Sequence, residues 1–183
     1  IIFNIEKNIP PHLFEEIDDI FIGSFSENDD RTLEAHYESG AIYITSDLSS
    51  DHDYIENIVH ETAHSIEERM GLAIYGDGKI EGEFLGKRER LAGRIRAEGF
   101  DTSGFNFNNP EYSKKLDLFL YEEVGYKKLS SLTMGLFYSP YASTSLREYF
   151  ANGFEAYFLG QREYLPKIGQ HLFIKLEEII TGE

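Results

Sequence analysis

The 183-residue chain contains no cysteine and no tryptophan, only two methionines and five prolines, and 17 lysines and arginines against 33 aspartates and glutamates. Each scarcity excludes something. Without cysteine there is no disulfide framework and no thiolate donor, so His, Asp and Glu are the side chains left to bind a metal. A formal charge of −16 argues against nucleic-acid binding, because a phosphate backbone demands a basic surface. A basic or neutral peptide or protein is the more natural partner. No apolar run approaches the roughly 20 residues that cross a bilayer, so no membrane role is expected. What is abundant is apolar: 41% hydrophobic and 14% aromatic residues are enough for one sizeable core, and a single domain over residues 1–183 is the expectation. The start Ile1-Ile2-Phe3, without Met, reads as a processed or excised domain, secreted or part of a larger exported protein.

Periodicity assigns the elements. Pro10 and Pro11 followed by Leu13, Phe14, Ile17, Ile20 and Phe21 read as a proline-opened helix with one buried face. Ser24 to Asp30 is a polar loop. Thr32 to Tyr37 and Ala41 to Thr45 are β-like runs joined across Glu38-Ser39-Gly40, which suggests a hairpin. From Ser50 to Gly71, Ile55, Ile58, Val59, Thr62, Ala63, Ile66 and Met70 make a buried helical stripe. Ser50 or Asp51 can cap that helix and Gly71 can close it in a left-handed conformation. Residues 72–109 are glycine-punctuated and read as the least regular stretch, an insertion or lid with a possible helix from Phe84 to Arg96. Glu111 to Glu123, Lys127 to Leu136, Ser143 to Leu159 and Ile168 to Ile180 look helical. The fold class that follows is α+β, mostly helical, with a small sheet or hairpin beside the long helix.

That long helix carries His60-Glu61-Thr62-Ala63-His64. Positions i and i+4 stack one turn apart on a helix face, so both imidazoles can reach one cation while Glu61 projects toward where a water would sit. This is the pattern of a zinc hydrolase helix. The plainer alternative is a pair of ordinary helix histidines beside a solvated carboxylate.

A catalytic zinc needs a third protein donor and one open position. No histidine follows closely after His64, so a carboxylate on a second helix is expected, and Glu148 is the best candidate. Its helix turns Phe150, Phe154 and Phe158 toward the core. Ser145-x-x-Glu148 is equally a capping box, in which the carboxylate would return to the Ser145 backbone. Residue chemistry leaves these two roles open.

The set His60-Glu61-x-x-His64, Ser139-Pro140-Tyr141 and, seven residues past that tyrosine, Glu148-Tyr149-Phe150-Ala151 resembles the catalytic domain of the anthrax lethal factor-like family, which includes the clostridial Pro-Pro endopeptidases. The resemblance covers the His helix and the stretch from about Phe137 onward, roughly half the chain. It implies a gluzincin-type zinc metallopeptidase, with Glu148 the third ligand and Tyr141 a catalytic hydrogen-bond donor. Two departures stand out. Glu148 follows His64 by 84 residues, more than is usual in that family. Asn152 stands where relatives often carry an acid, a place from which its amide oxygen can orient a ligand histidine.

The expected function is therefore a zinc endopeptidase in which His60, His64 and Glu148 hold Zn2+, Glu61 is the general base and Tyr141 supports the oxyanion. The peptide is expected to lie extended beside Ala41, Ile42, Tyr43, Ile44 and Thr45, adding a strand through main-chain hydrogen bonds. The alternative from another class is a non-catalytic zinc-binding or recognition module of a larger toxin or phage protein. The intact Glu61 speaks against it.

Overall fold

The computed structural model describes residues 5, 7–24, 34–160 and 162–182. After a short 3-10 turn at Pro11–Phe14 come three strands, β1 (Asp19–Gly23), β2 (Ala35–Glu38) and β3 (Ala41–Thr45), in the sheet order β1-β3-β2. β2 and β3 form the expected hairpin, and β1 adds parallel to β3 on its other side. Ser39 and Gly40 both take positive φ, 49° and 89°, the twist that two-residue hairpin turns require. Thr32 and most of the polar loop, residues 25–33, lie outside the described residues.

Ile20 and Phe21 are not helical. The proline-opened turn stops near Glu15, and the two residues pair in register with Ile42 and Tyr43. The reason is non-local: the amides of Asp18 and Asp19 both donate to the Gly40 carbonyl, which steers the chain onto β3. Ile42 and Ile44 are fully buried on the inner face, while on the outer face the rings of Phe21, Tyr43 and His36 stack across all three strands.

The His helix, α1 (Asp51–Tyr75), begins with a reciprocal cap: the Asp53 amide donates to Ser50 Oγ, and the Ser50 amide donates to Asp53 Oδ2. It runs past Gly71, which does not close it. The added turn buries Ile74 and stacks Tyr75 edge-on against Phe150, a gain in apolar burial that ending at Gly71 would forgo.

The stretch 72–109 is also more regular than its glycines suggest. Residues Lys79–Ala97 form a 19-residue helix, α2, that buries Ile80, Phe84, Leu91 and Ile95 completely. Such a helix belongs to the core and cannot swing as a lid. Its glycines were misleading because a core helix tolerates them wherever packing outweighs their modest helix penalty. Next come α3 (Lys114–Leu118), a π-helical segment Phe119–Gly125, and α4 (Tyr126–Thr133). A 3-10 turn at Tyr141–Ser143 leads into α5 (Leu146–Phe158), followed by α6 (Leu165–Ile168) and α7 (Gln170–Thr181).

α5 lies between α1 and α7. Phe150 and Phe154 on α5 are fully buried, and at Gly153 a Cβ would stand 2.4 Å from Leu172 Cδ2 of α7. The missing side chain lets these two helices approach. One contiguous hydrophobic cluster joins the sheet to the helices, and the described fold is mostly helical with a small three-stranded sheet. Among the described residues no helix is long and apolar enough to cross a membrane.

Candidate metal centre

The α-helical repeat places His60 and His64 one turn apart on α1, their ring centroids 5.1 Å apart and their planes at 77°. One donor atom from each of His60, Glu61 and His64 falls within 4.8 Å of the others, so this group can hold a metal ion. Glu61 and His64 are buried, and His60 is partly so.

Across the α1–α5 interface stands Glu148. Its backbone amide donates to Ser145 Oγ, so Ser145 does cap α5, but the carboxylate does not complete the box. It turns to the imidazoles instead. Glu148 Oε2 is 3.0 Å from His60 Nε2 and Oε1 is 3.6 Å from His64 Nε2. Donors about 2.0–2.1 Å from a tetrahedral metal are separated by about 3.3 Å, a value these two distances bracket. Two imidazoles and a carboxylate are a donor set that can hold a metal ion.

The far side of each ring is held by a second carboxylate. His60 Nδ1 lies 3.4 Å from Glu155 Oε2, and His64 Nδ1 lies 2.6 Å from Glu67 Oε2. A proton kept on Nδ1 in this way leaves the Nε2 lone pair for a metal. Glu67 is itself buried and fixed, accepting from the Tyr75 hydroxyl and, at 3.4 Å, from Arg147 Nε.

These carboxylates perturb the site strongly. Burial would lower both imidazole pKa values, but it is outweighed at His60 by the hydrogen bonds of Glu148 and Glu155 with the charges of Glu148 and Glu61, and at His64 by the hydrogen bonds and charges of Glu148 and Glu67. His60 is raised to about 10 and His64 to about 9. Burial likewise opposes ionisation of Glu148, yet the two imidazoles hold it down to about 2.

Asn152 does not orient a histidine. Its amide oxygen accepts from Ser139 Oγ at 2.5 Å, and its Nδ2 donates to the Glu148 carbonyl at 3.0 Å. One turn along α5 points it at the Ser139 turn, whereas two turns, at Glu155, return to the face of Glu148 and reach His60. That seven-residue spacing is the signal that sequence reasoning missed, together with Glu67 three residues after His64. Asn152 instead ties the Ser139-Pro140-Tyr141 turn to α5. The Ala142 amide donates to Ser139 Oγ, and Ser143 Oγ and Thr144 Oγ1 donate back to the carbonyls of Pro140 and Tyr141. The turn is thereby rigid, and it sets the Tyr141 ring 6.5 Å from that of His60. Burial, then the charges of Glu148 and Asp117, push the Tyr141 phenol well up, so it remains a hydrogen-bond donor.

Ala41, Ile42, Tyr43, Ile44 and Thr45 cannot receive a peptide strand as expected. They form β3, the centre of the sheet, whose backbone groups on both sides are taken by β1 and β2. Among the described residues the sheet edges are β1 and β2.

No family model, curated protein or solved structure matches the chain. The reading of the site is therefore built on its side chains.

Proposed function

We propose that this chain is a zinc-dependent endopeptidase of the gluzincin type, of the lethal factor-like kind that its motifs resemble. The observation that carries the proposal is the Glu148 carboxylate, 88 residues from His60 in sequence, presenting one oxygen to each of two imidazoles one helical turn apart. Zinc held there supplies Lewis acidity, polarising a peptide carbonyl and acidifying water. His60, His64 and Glu148 are the ligands in this reading, and Glu155 and Glu67 keep the imidazoles oriented. Glu61, next to His60 and buried, accepts the proton of the attacking water and delivers it to the departing amine. Tyr141, held protonated by its surroundings, donates to the oxygen that gains charge at the scissile carbonyl.

A second reading has its own observation in favour. The donor atoms of His60, Glu61 and His64 lie within 4.8 Å of one another, so Glu61 can itself be a ligand beside the two histidines and close the site, as in a non-catalytic module. Glu61→Gln separates the two. On the peptidase reading the variant keeps its zinc and loses peptide hydrolysis by about 10²–10⁴-fold, measured on a peptide library with chelator as the control. Loss of zinc from the variant, with no hydrolysis by the wild-type chain, selects the closed site.

A further inference from the structure

The last turn of α1, which overruns Gly71, does more than add burial. His64, Glu67, Gly71 and Tyr75 follow one another at helical spacing along one face of α1. At one end of that row His64 Nδ1 meets Glu67 Oε2 at 2.6 Å, and at the other the Tyr75 hydroxyl donates to the second oxygen, Glu67 Oε1. Side chains on a helix lean toward its N-terminus, which lets a tyrosine two turns beyond Glu67 reach back past Gly71 to that carboxylate. The Phe150 ring of α5 stands edge-on to the Tyr75 ring, centroids 6.2 Å apart at 71°, and fixes its direction. Burial, then the charge of Glu67, push the Tyr75 phenol far up, so the hydroxyl keeps its proton and donates.

Glu67 needs such a hold, because it is buried and a carboxylate oxygen deprived of its donor there turns to find another. Arg147, the residue before Glu148 on α5, is its other donor. That contact is weaker: Arg147 Nε is 3.4 Å from Oε2, the oxygen already bonded to His64, and the arginine side chain is mostly exposed, so water competes for it. Oε1 is left to Tyr75.

We propose that Tyr75 is a positioning residue of the metal centre: its hydroxyl holds the Glu67 carboxylate where it accepts from His64 Nδ1, and so keeps His64 Nε2 turned to the metal. A carboxylate behind a ligand histidine sets the ring's orientation and basicity, and a glutamate with three side-chain torsions does this only as well as it is itself fixed. The inference rests on the proposed function only in taking His64 as a metal ligand.

The test is the zinc affinity of the full chain, by competition against a chromophoric chelator, together with the proton resonance of His64 Nδ1–H in the zinc-loaded, isotope-labelled protein. Tyr75→Phe keeps the ring against Phe150 and removes only the hydroxyl. It is expected to lower zinc affinity about tenfold, to shift or broaden that resonance, and to cost little more once Glu67→Gln is in place. Arg147→Ala is expected to lose less than about fivefold. Wild-type affinity in Tyr75→Phe, an equal loss with and without Glu67→Gln, a loss that leaves the resonance where it was, or a larger loss from Arg147→Ala overturns the proposal. So does a wild-type chain that binds no zinc. Hydrolysis of a peptide library reports separately on the catalytic reading. Tyr75-dependent zinc binding without hydrolysis sinks that reading alone, and zinc-dependent hydrolysis with an affinity indifferent to Tyr75 sinks this inference alone.

Discussion

On the proposed reading, Glu148 holds the metal while Glu67 and Glu155 orient its imidazoles. Removing the holder should hurt more than removing an orienter. Glu67→Gln and Glu155→Gln are expected to weaken zinc binding by about 10–100-fold, and Glu148→Ala by more than either. Competition against a chromophoric chelator ranks the three, and equal losses would deny Glu148 its special place. Protons compete for the same atoms. The imidazoles are raised from 6.5 to about 10 and about 9, so their stabilisation of the metal-free protein is fully present below pH 6.5 and is lost as pH rises through those values. Glu148 is lowered from 4.5 to about 2, so its contribution is present above pH 4.5 and disappears as pH falls toward 2. The chelated protein should therefore draw most stability from this cluster between pH 4.5 and 6.5, seen as a Tm maximum that flattens in His60→Ala. Zinc affinity should instead climb with pH, with protons released on binding. Titration calorimetry in two buffers of different ionisation enthalpy measures that release.

The α1–α5 pair carries His60, Glu61, His64 and Glu148, so its packing matters to the proposed site. α5 is pressed against α7 on its other side, and the missing side chain at Gly153 permits the contact. Gly153→Ala would drive a methyl into Leu172 at 2.4 Å, which should destabilise the fold by about 1–3 kcal/mol despite alanine's better helix propensity. Thermal unfolding of the variant decides the sign, and a gain in Tm would mean that the interface is looser than described. The elements also show where sequence reading succeeds. α1 was legible because its stripe, its Ser50 cap and its acidic first turn are all local signals. β1 was misread because Ile17, Ile20 and Phe21 also fit a helical repeat, and only pairing with β3 gives Ile20 and Phe21 a strand's partners. α2 was underrated because glycines are read as breakers, while its burial of Phe84, Leu91 and Ile95 comes from distant elements.

The whole molecule carries a formal charge of −16, and a field of that size steers encounters while being screened by salt. If the chain is the proposed endopeptidase, lysine- and arginine-rich peptides are expected to be cleaved with lower KM than acidic ones of the same length, and raising the salt from about 50 to 500 mM should erase most of the difference. A KM difference that persists at high salt would locate the preference in short-range contacts. Sequence alone determined that the chain offers no thiolate to a metal and that His60, Glu61 and His64 share one helical turn, because composition and the helical repeat are local properties of the chain. Whether Glu148 would close a capping box or face those imidazoles was a tertiary decision, as were the interior place of β3 and the choice of Glu155 over Asn152 behind His60. Each depends on how helices and strands far apart in sequence come to pack, and there burial and long-range hydrogen bonds outweigh any preference of the residues themselves.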